Sequence, residues 1–148
     1  MNIELLVVGK TDSKEVEALV ELYARRVNRY CRFAVTALPD VRNTRSLTQN
    51  QQRTAEGEAI LRQLAVKGLA LEINTSGLRQ PGGTTHPPLS LVRRFRQLGG
   101  EFITIGADAH RPEDVGTGLE QAAALAREAG FTHQAVFFGG KMELLPLE

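Results

Sequence analysis

The sequence has 148 residues, 42% of them hydrophobic, and a formal net charge of +1. This is enough apolar material for one core of ordinary single-domain size, no apolar run approaches transmembrane length, and the N-terminus has no signal-peptide pattern. The single cysteine, Cys31, excludes an internal disulfide and is typical of a reducing compartment. We therefore expect a cytoplasmic protein without a membrane partner.

The first part of the chain alternates predicted strands and helices. An apolar run ended by Gly9 is typical of a central parallel strand, and Asp12 or Ser13 can cap the helix that follows. A capping-box pattern at residues 46–49 predicts the start of the second helix. In chain order the predicted elements are a strand at 3–8, a helix with apolar residues from 16 to 27, a strand at 33–38 and a helix ending near 66.

The same alternation continues after a turn at Lys67-Gly68. Small polar residues follow the third strand, and residues 80–86 form an extended loop rich in helix breakers. Glu113 and Asp114 suit the start of an Ala-rich helix, where negative charge is favourable. The predicted elements are strands at 69–73, 102–105 and 135–138, helices at 88–98 and within 116–130, and a candidate sixth strand at 142–147.

The alternation of strand and helix forces parallel pairing with right-handed crossovers. We therefore expect the α/β class, with residues 1–148 forming a single three-layer α/β/α domain of about five mostly parallel strands.

Asp108 and His110 directly follow the fourth predicted strand and are the leading candidates for a functional site. In extended backbone, residues two apart point to the same side, and a carboxylate beside an imidazole is half of a metal site. The alternative is that Asp108 caps a turn and His110 is a surface residue. Because two ligands are fewer than the usual three or four, we expect at most weak binding of Zn²⁺ or Mn²⁺.

Polar residues after the third predicted strand are expected to reach the same edge of the sheet, since parallel strands end together. These are Asn74, Ser76 and Arg79, and Arg111 follows the Asp-x-His pair. One interpretation is a phosphate contact, in which the two arginines supply charge and bidentate hydrogen bonds. The other is a hydrogen-bonded loop with both arginines solvated.

The charge is unevenly distributed along the chain. Residues 1–68 carry 11 Lys and Arg against 8 Asp and Glu, whereas residues 69–148 carry 7 against 9. Contact with RNA phosphates would use a cluster near the end of the first predicted helix. The alternative is a solvated helix end, where cations suit the helix dipole. The cluster consists of Arg25, Arg26, Arg29 and Arg32.

Several motifs of the first half match one known family in register. They are residues 5–14 (LLVVGKTDSK), 23–26 (YARR) with Tyr30, 39–40 (PD) and 56–61 (EGEAIL). Together they resemble the rRNA large-subunit methyltransferase H family of the SPOUT class. This resemblance implies S-adenosylmethionine-dependent modification of 23S rRNA. Such enzymes hold the cofactor with a Gly-Gly-Pro-type loop and a C-terminal knot, and this sequence shows neither, so we do not expect S-adenosylmethionine to bind.

The motifs of the second half match a different family. They are residues 71–79 (LEINTSGLR), 106–116 (GADAHRPEDVG), 129–131 (AGF), 137–138 (FF) and 145–147 (LPL). These resemble the C-terminal part of PHP-class histidinol-phosphatases, which implies a metal-ligand role for Asp108 and His110. The family gathers its further metal ligands from an N-terminal His-x-His and earlier strands, but residues 1–68 contain no histidine.

We therefore expect a chimera-like α/β protein without the complete active site of either family. Its methyltransferase-like half is residues 1–68 and its PHP-phosphatase-like half is residues 69–148. The alternatives are a methyltransferase-related protein acting on 23S rRNA and a metal-dependent phosphomonoester hydrolase. Methyltransferases of this family dimerise largely through C-terminal elements that this chain has exchanged, so we expect a monomer and leave a homodimer open.

Overall fold

The computed structural model describes residues 2–40 and 46–148. They divide into two compact units, Met1–Ile60 and Leu61–Glu148, with a boundary close to the predicted junction at Lys67-Gly68. The mixture of helices and strands confirms the α/β class, while the single domain over residues 1–148 stays a prediction. In the part of the chain that the structure describes, no helix combines the length and apolar character needed to cross a membrane.

The first unit is built around two parallel strands and a helix. Strands β1 (Asn2–Val8) and β2 (Arg32–Leu38) pair in parallel, with Leu5 opposite Val35. Helix α1 (Lys14–Val27) connects them. All three elements were predicted from the hydrophobic pattern.

Side chains at both ends of α1 fix its length. The Ser13 hydroxyl accepts a hydrogen bond from the Val16 amide at 3.3 Å, which confirms one of the two predicted caps. Ser13 also donates to the Glu15 carboxylate at 2.8 Å, and this hydrogen bond lowers the pKa of Glu15 from its ordinary value. At the other end, the Asn28 side chain exchanges hydrogen bonds with the backbone of Phe33, at 2.9 and 3.0 Å. The helix end is thereby tied to the start of β2.

Helix α2 (Gln49–Val66) begins in the first unit and ends in the second. Its capping box lies two residues later than predicted, at Thr48 and Gln51. The Gln51 amide donates to the Thr48 hydroxyl at 3.3 Å, and the Thr48 amide donates to the Gln51 side chain at 2.8 Å. The sequence contains the Ser/Thr-x-x-Gln pattern at both places, and the second is the one that precedes the first helical turn.

The second unit contains each of the remaining predicted elements. Its strands β3 and β4 are parallel, whereas β5 and β6 form an antiparallel hairpin, so the candidate sixth strand is confirmed. The elements are β3 (Leu71–Asn74), α3 (Leu89–Gln97), β4 (Ile103–Gly106), α4 (Leu119–Glu128), β5 (His133–Phe138) and β6 (Lys141–Pro146).

The predicted layout of about five mostly parallel strands in one sheet is not confirmed. Among the described residues the six strands pair as three two-stranded sheets, β1-β2, β3-β4 and β5-β6. The hairpin has a local cause, because Gly139 and Gly140 join its strands with φ values of 56° and 78°. Two consecutive residues at positive φ are typical of a two-residue hairpin loop.

The core of the second unit lies between α3, α4 and the strands. The rings of Phe95 and Phe131 are stacked, with their centroids 6.4 Å apart. The fully buried apolar residues around them come from the predicted helix stripes and strand interiors. They include Ile73, Val92, Ile103, Ala122 and Ala126.

We predict that Phe95→Ala lowers the free energy of unfolding of the second unit by about 3–5 kcal/mol, because it removes a fully buried ring and leaves a cavity. Phe138→Ala is the matched control, since that ring is 62% exposed and its loss should change stability little. Chemical denaturation of both variants measures the difference. Equal losses would show that the core is not organised around Phe95.

Candidate functional site

The ends of β3 and β4 form one edge, because Asn74 lies opposite Gly106 in the parallel register. The residues that follow both strands, 74–79 and 107–111, are called the rim. The Asn74 side-chain oxygen accepts hydrogen bonds from the amide of Ser76 at 2.8 Å and from its hydroxyl at 2.6 Å. Asn74 and His86 also exchange backbone hydrogen bonds at 2.8 and 2.9 Å. Asn74 and Ser76 therefore stabilise the turn after β3.

Arg79 connects the two sides of the rim. Its guanidinium donates to the carbonyl oxygens of Ala107 at 2.9 Å and Asp108 at 3.2 Å, and its Nε lies 3.3 Å from a carboxylate oxygen of Asp114. Both arginines are exposed residues, but Arg79 makes these contacts with the loop while 25% of its side chain stays accessible to solvent.

Asp114 has a different role from the one predicted. It lies in a 3-10 turn, Pro112–Asp114, and not at the start of the following helix, which begins at Leu119 after a left-handed Gly118. Its partner is Arg79, 35 positions earlier in the sequence, so local charge patterning could not find the pair.

Asp108 and His110 lie beyond the end of β4, which is Gly106. Asp108 has a φ of 49°, so the extended backbone predicted for this pair is wrong. The two side chains nevertheless lie near each other. His110 Nδ1 lies 2.9 Å from the Asp108 backbone oxygen and 3.9 Å from its carboxylate Oδ1. The His110 side chain is 82% exposed and the Asp108 side chain is 47% exposed.

The pair fits two ligands of a metal ion but not a full set. Zinc lies about 2.0–2.2 Å from nitrogen and oxygen ligands, so two donors at the tetrahedral angle are about 3.4 Å apart. The 3.9 Å separation is about 0.5 Å wider, so shared coordination needs a small movement of these exposed side chains. However, residues 2–40 and 46–148 contain no group of three or more His, Cys, Asp or Glu able to hold an ion. In addition, Nδ1 lies within hydrogen-bonding distance of the Asp108 carbonyl, and that contact competes with metal coordination.

Two further residues, Thr75 and Gly77, stabilise the turn after β3 and were not predicted from the sequence. The Thr75 side chain is fully buried and its hydroxyl donates to the Thr117 carbonyl at 2.6 Å. At Gly77, an added Cβ would lie 2.1 Å from the Thr84 carbonyl oxygen and 2.6 Å from His86 Nε2. The loop 80–86 therefore packs directly on this turn. The small residues of the Thr-x-Gly run were the one available signal for such close packing.

The arginine cluster lies at and beyond the C-terminal end of α1, in the first unit. Arg25 is 4.0 Å from Glu21, one helical turn away, and the Arg26 guanidinium stacks over the Tyr23 ring at 5.3 Å from its centroid. The four side chains of the cluster are exposed: Arg25, Arg26, Arg29 and Arg32.

We predict that Arg79→Ala loosens the rim, because the substitution removes hydrogen bonds to two carbonyls and an ion pair to Asp114. A loss of about 1–2 kcal/mol should raise amide hydrogen exchange across residues 107–114 by about tenfold or more. Arg111→Ala is the control, since it removes the same side-chain type from the same loop. Equal exchange in the two variants would contradict the bridging role of Arg79.

A family model described as predicted SPOUT methyltransferase matches residues 1–79. This part is 46% identical over 61 residues to the ribosomal RNA large subunit methyltransferase H of Christiangramia forsetii, covering 41% of this chain and 39% of that protein. It is 35% identical over 77 residues to the enzyme of the same name from Flavobacterium johnsoniae, covering 52% and 49%. The chain therefore spans less than half the length of these relatives.

The second part is similar to histidinol-phosphatases. The histidinol-phosphatase of Lactococcus lactis subsp. lactis is 40% identical over 84 residues, covering 57% of this chain and 31% of that protein. A crystal structure of histidinol phosphate phosphatase from the same species, complexed with zinc, L-histidinol and phosphate, matches with a TM-score of 0.53 and 33% identity, covering 71% of this chain and 39% of that one. Both resemblances deduced from the motifs are confirmed.

Proposed function

We propose that this chain, which belongs through residues 1–79 to the family of predicted SPOUT methyltransferases, is a composite α/β protein without a complete active site of either family that it resembles. The activity that remains is weak binding of a divalent ion at the rim. The observation that carries this proposal is the Asp108–His110 pair, which supplies two adjacent metal donors. Among the described residues, no group of three or more His, Cys, Asp or Glu could hold an ion.

Phosphomonoester hydrolysis at this rim is expected to stay near background. Metal-assisted hydrolysis needs ions held firmly enough to activate a nucleophile and to stabilise the transition-state charge. Two exposed ligands do not hold an ion in that way. Arg79, the arginine best placed beside the pair, already donates to two carbonyl oxygens and contacts Asp114. In this proposal the Arg79 guanidinium therefore stabilises the loop and does not bind phosphate.

The methyltransferase side of the proposal depends on the same stretch of sequence. The cofactor loop and knot that the resemblance implies have no counterpart, and residues 105–120 hold the phosphatase-like motif in that place. The fold of these residues is fixed by Arg79, Asp114 and the turn at Asp108. In this proposal the segment is a loop held by side-chain contacts and not a binding loop for a nucleoside cofactor.

We predict that Mn²⁺ or Zn²⁺ binds the parent chain weakly at one site and that Asp108→Ala and His110→Ala each abolish nearly all of this binding. Two ligands leave no redundancy, whereas a site with four ligands retains some affinity after losing one. Isothermal titration of the parent and both variants measures the affinities. His133→Ala is the matched control, because it removes a histidine of β5.

Two results would remove the metal site from the proposal. One is an affinity that is the same in the parent, Asp108→Ala and His110→Ala. The other is a loss in His133→Ala as large as in His110→Ala, which would place the ion elsewhere. Phosphatase turnover well above background with a phosphomonoester and Mn²⁺ would instead contradict the incomplete active site.

We predict no measurable binding of S-adenosylmethionine to the same purified sample. The reason is that no segment of this chain matches the cofactor loop and knot implied by the family resemblance. Isothermal titration with the cofactor tests this, with a full-length methyltransferase of the family as the positive control. Micromolar binding that saturates at one site per chain or per dimer would favour the methyltransferase alternative.

A further inference from the structure

Strand β6 forms an open edge of the hairpin in the second unit. Among the residues that the structure describes, β6 pairs with β5 and with no other strand. All six of its residues are exposed, and they include three large apolar side chains: Met142 (43%), Leu144 (49%) and Leu145 (41%). An exposed apolar edge strand presents unpaired backbone groups and is a ready template for another strand.

The register of the hairpin decides which backbone groups of β6 point away from β5. In an antiparallel pair, residues alternate between positions that exchange hydrogen bonds with their partner and positions that do not. The Leu147 amide donates to the Thr132 carbonyl at 3.0 Å, and this pair continues the register in which Lys141 lies opposite Phe138. The odd-numbered residues of β6 are therefore bonded to β5. The even-numbered residues direct their backbone groups outward, and they are Met142, Leu144 and Pro146.

The outward edge offers both a donor and an acceptor at Met142 and at Leu144. Pro146 has no N–H and adds only an acceptor. Within residues 2–40 and 46–148, no backbone hydrogen bond links these three residues to a residue outside the hairpin. An added antiparallel strand would exchange hydrogen bonds with Met142 and Leu144, which is how extended peptides join the edge of a sheet.

The side chains of β6 specify which strand fits this edge. Because side chains alternate along a strand, Lys141 and Glu143 lie on one side of β6, and Met142 and Leu144 lie on the other. Directly opposed positions of an antiparallel pair favour opposite charges and pairs of apolar side chains. The complementary strand, written from its N-terminus, therefore carries an apolar residue, a cation, an apolar residue and an anion.

A second copy of β6 fits the same edge less well. A two-fold register centred on Glu143 places this carboxylate opposite its counterpart, and like charges in that position repel. A register centred on Leu144 sets Met142 opposite Pro146, which cannot donate, and leaves both charges opposite apolar residues. A register centred on Met142 enters the glycine turn of the hairpin after three residues. The edge therefore suits a strand of a different sequence.

We propose that β6 is a docking edge for an extended peptide segment of another protein, which joins the hairpin as a third, antiparallel strand. The segment carries the pattern apolar, cation, apolar, anion, so that its charges lie opposite Glu143 and Lys141 and its apolar residues lie opposite Leu144 and Met142. The proposal is independent of metal or cofactor binding at the rim.

The test is an NMR titration of the full chain with two capped hexapeptides, TVKVET and the charge-swapped TVEVKT. TVKVET should bind with a dissociation constant below about 1 mM. It should bind about fivefold or more tightly than TVEVKT, because the swap places like charges opposite Lys141 and Glu143. The double variant K141E/E143K leaves the net charge unchanged and should reverse the preference between the two peptides.

Backbone hydrogen bonds are tested without changing the protein, so this arm holds even if the double variant fails to fold. N-methylation of either valine of TVKVET removes a donor to β6 and should weaken binding by about tenfold. N-methylation of its lysine is the matched control, because that N–H points away from β6. Saturating TVKVET should also slow hydrogen exchange at the Met142 and Leu144 amides by about tenfold or more. The Glu143 and Leu145 amides, already bonded to β5, should change less.

Three results would overturn the proposal. The first is an affinity for TVKVET that is no higher than the affinity for TVEVKT, including the absence of binding by both. The second is an equal loss of affinity on N-methylation of a valine and of the lysine. The third is protection of the Met142 and Leu144 amides that rises with protein concentration before any peptide is added, which would show that a second copy occupies the edge.

Discussion

Parallel pairing of β3 with β4 is the constraint on which the candidate site depends. The register that sets Asn74 opposite Gly106 brings both strand ends to one edge. The connection between the two strands contains α3, which buries Val92 and Phe95 in the core of this unit. The turn after β3 and the loop after β4 must then lie side by side, close enough for the Arg79 guanidinium to reach the Asp108 carbonyl. The rim is thus a consequence of core packing.

Elements with local causes could be predicted from the sequence, and pairings between distant residues could not. The Ser13 cap depends on a side chain three residues from its partner. The number of strands per sheet depends on which edges meet across long stretches of chain. Strand–helix alternation favours parallel neighbours but does not state how many strands join. The predicted layout of about five mostly parallel strands is not confirmed at this level, while nearly every individual element was present.

The sequence identified the residues of the rim but not their roles. Period-2 reasoning assumed extended backbone from Asp108 to His110, yet aspartate tolerates the left-handed region, and Asp108 has a φ of 49°. Arg79 illustrates the second reason. Its charge beside a candidate metal pair suggested a ligand for phosphate, but its hydrogen bonds go to backbone carbonyls of the neighbouring loop. Residue type restricts the available chemistry, and only distances show which partner a side chain has taken.

The first unit contrasts with the second in how its apolar residues are used. Parallel strands normally have both faces covered, which is why their sequences are apolar on both sides. Among the described residues of the first unit, Leu38 alone is buried, while Leu5 and Val35 on the strands remain more than one-third exposed. The apolar pattern of these strands and of helix α1 is typical of buried elements. In the structure, however, apolar side chains of the strands and of the helix remain exposed. Because exposed apolar area is the main driving force for association, the stability of this unit is coupled to whatever covers it.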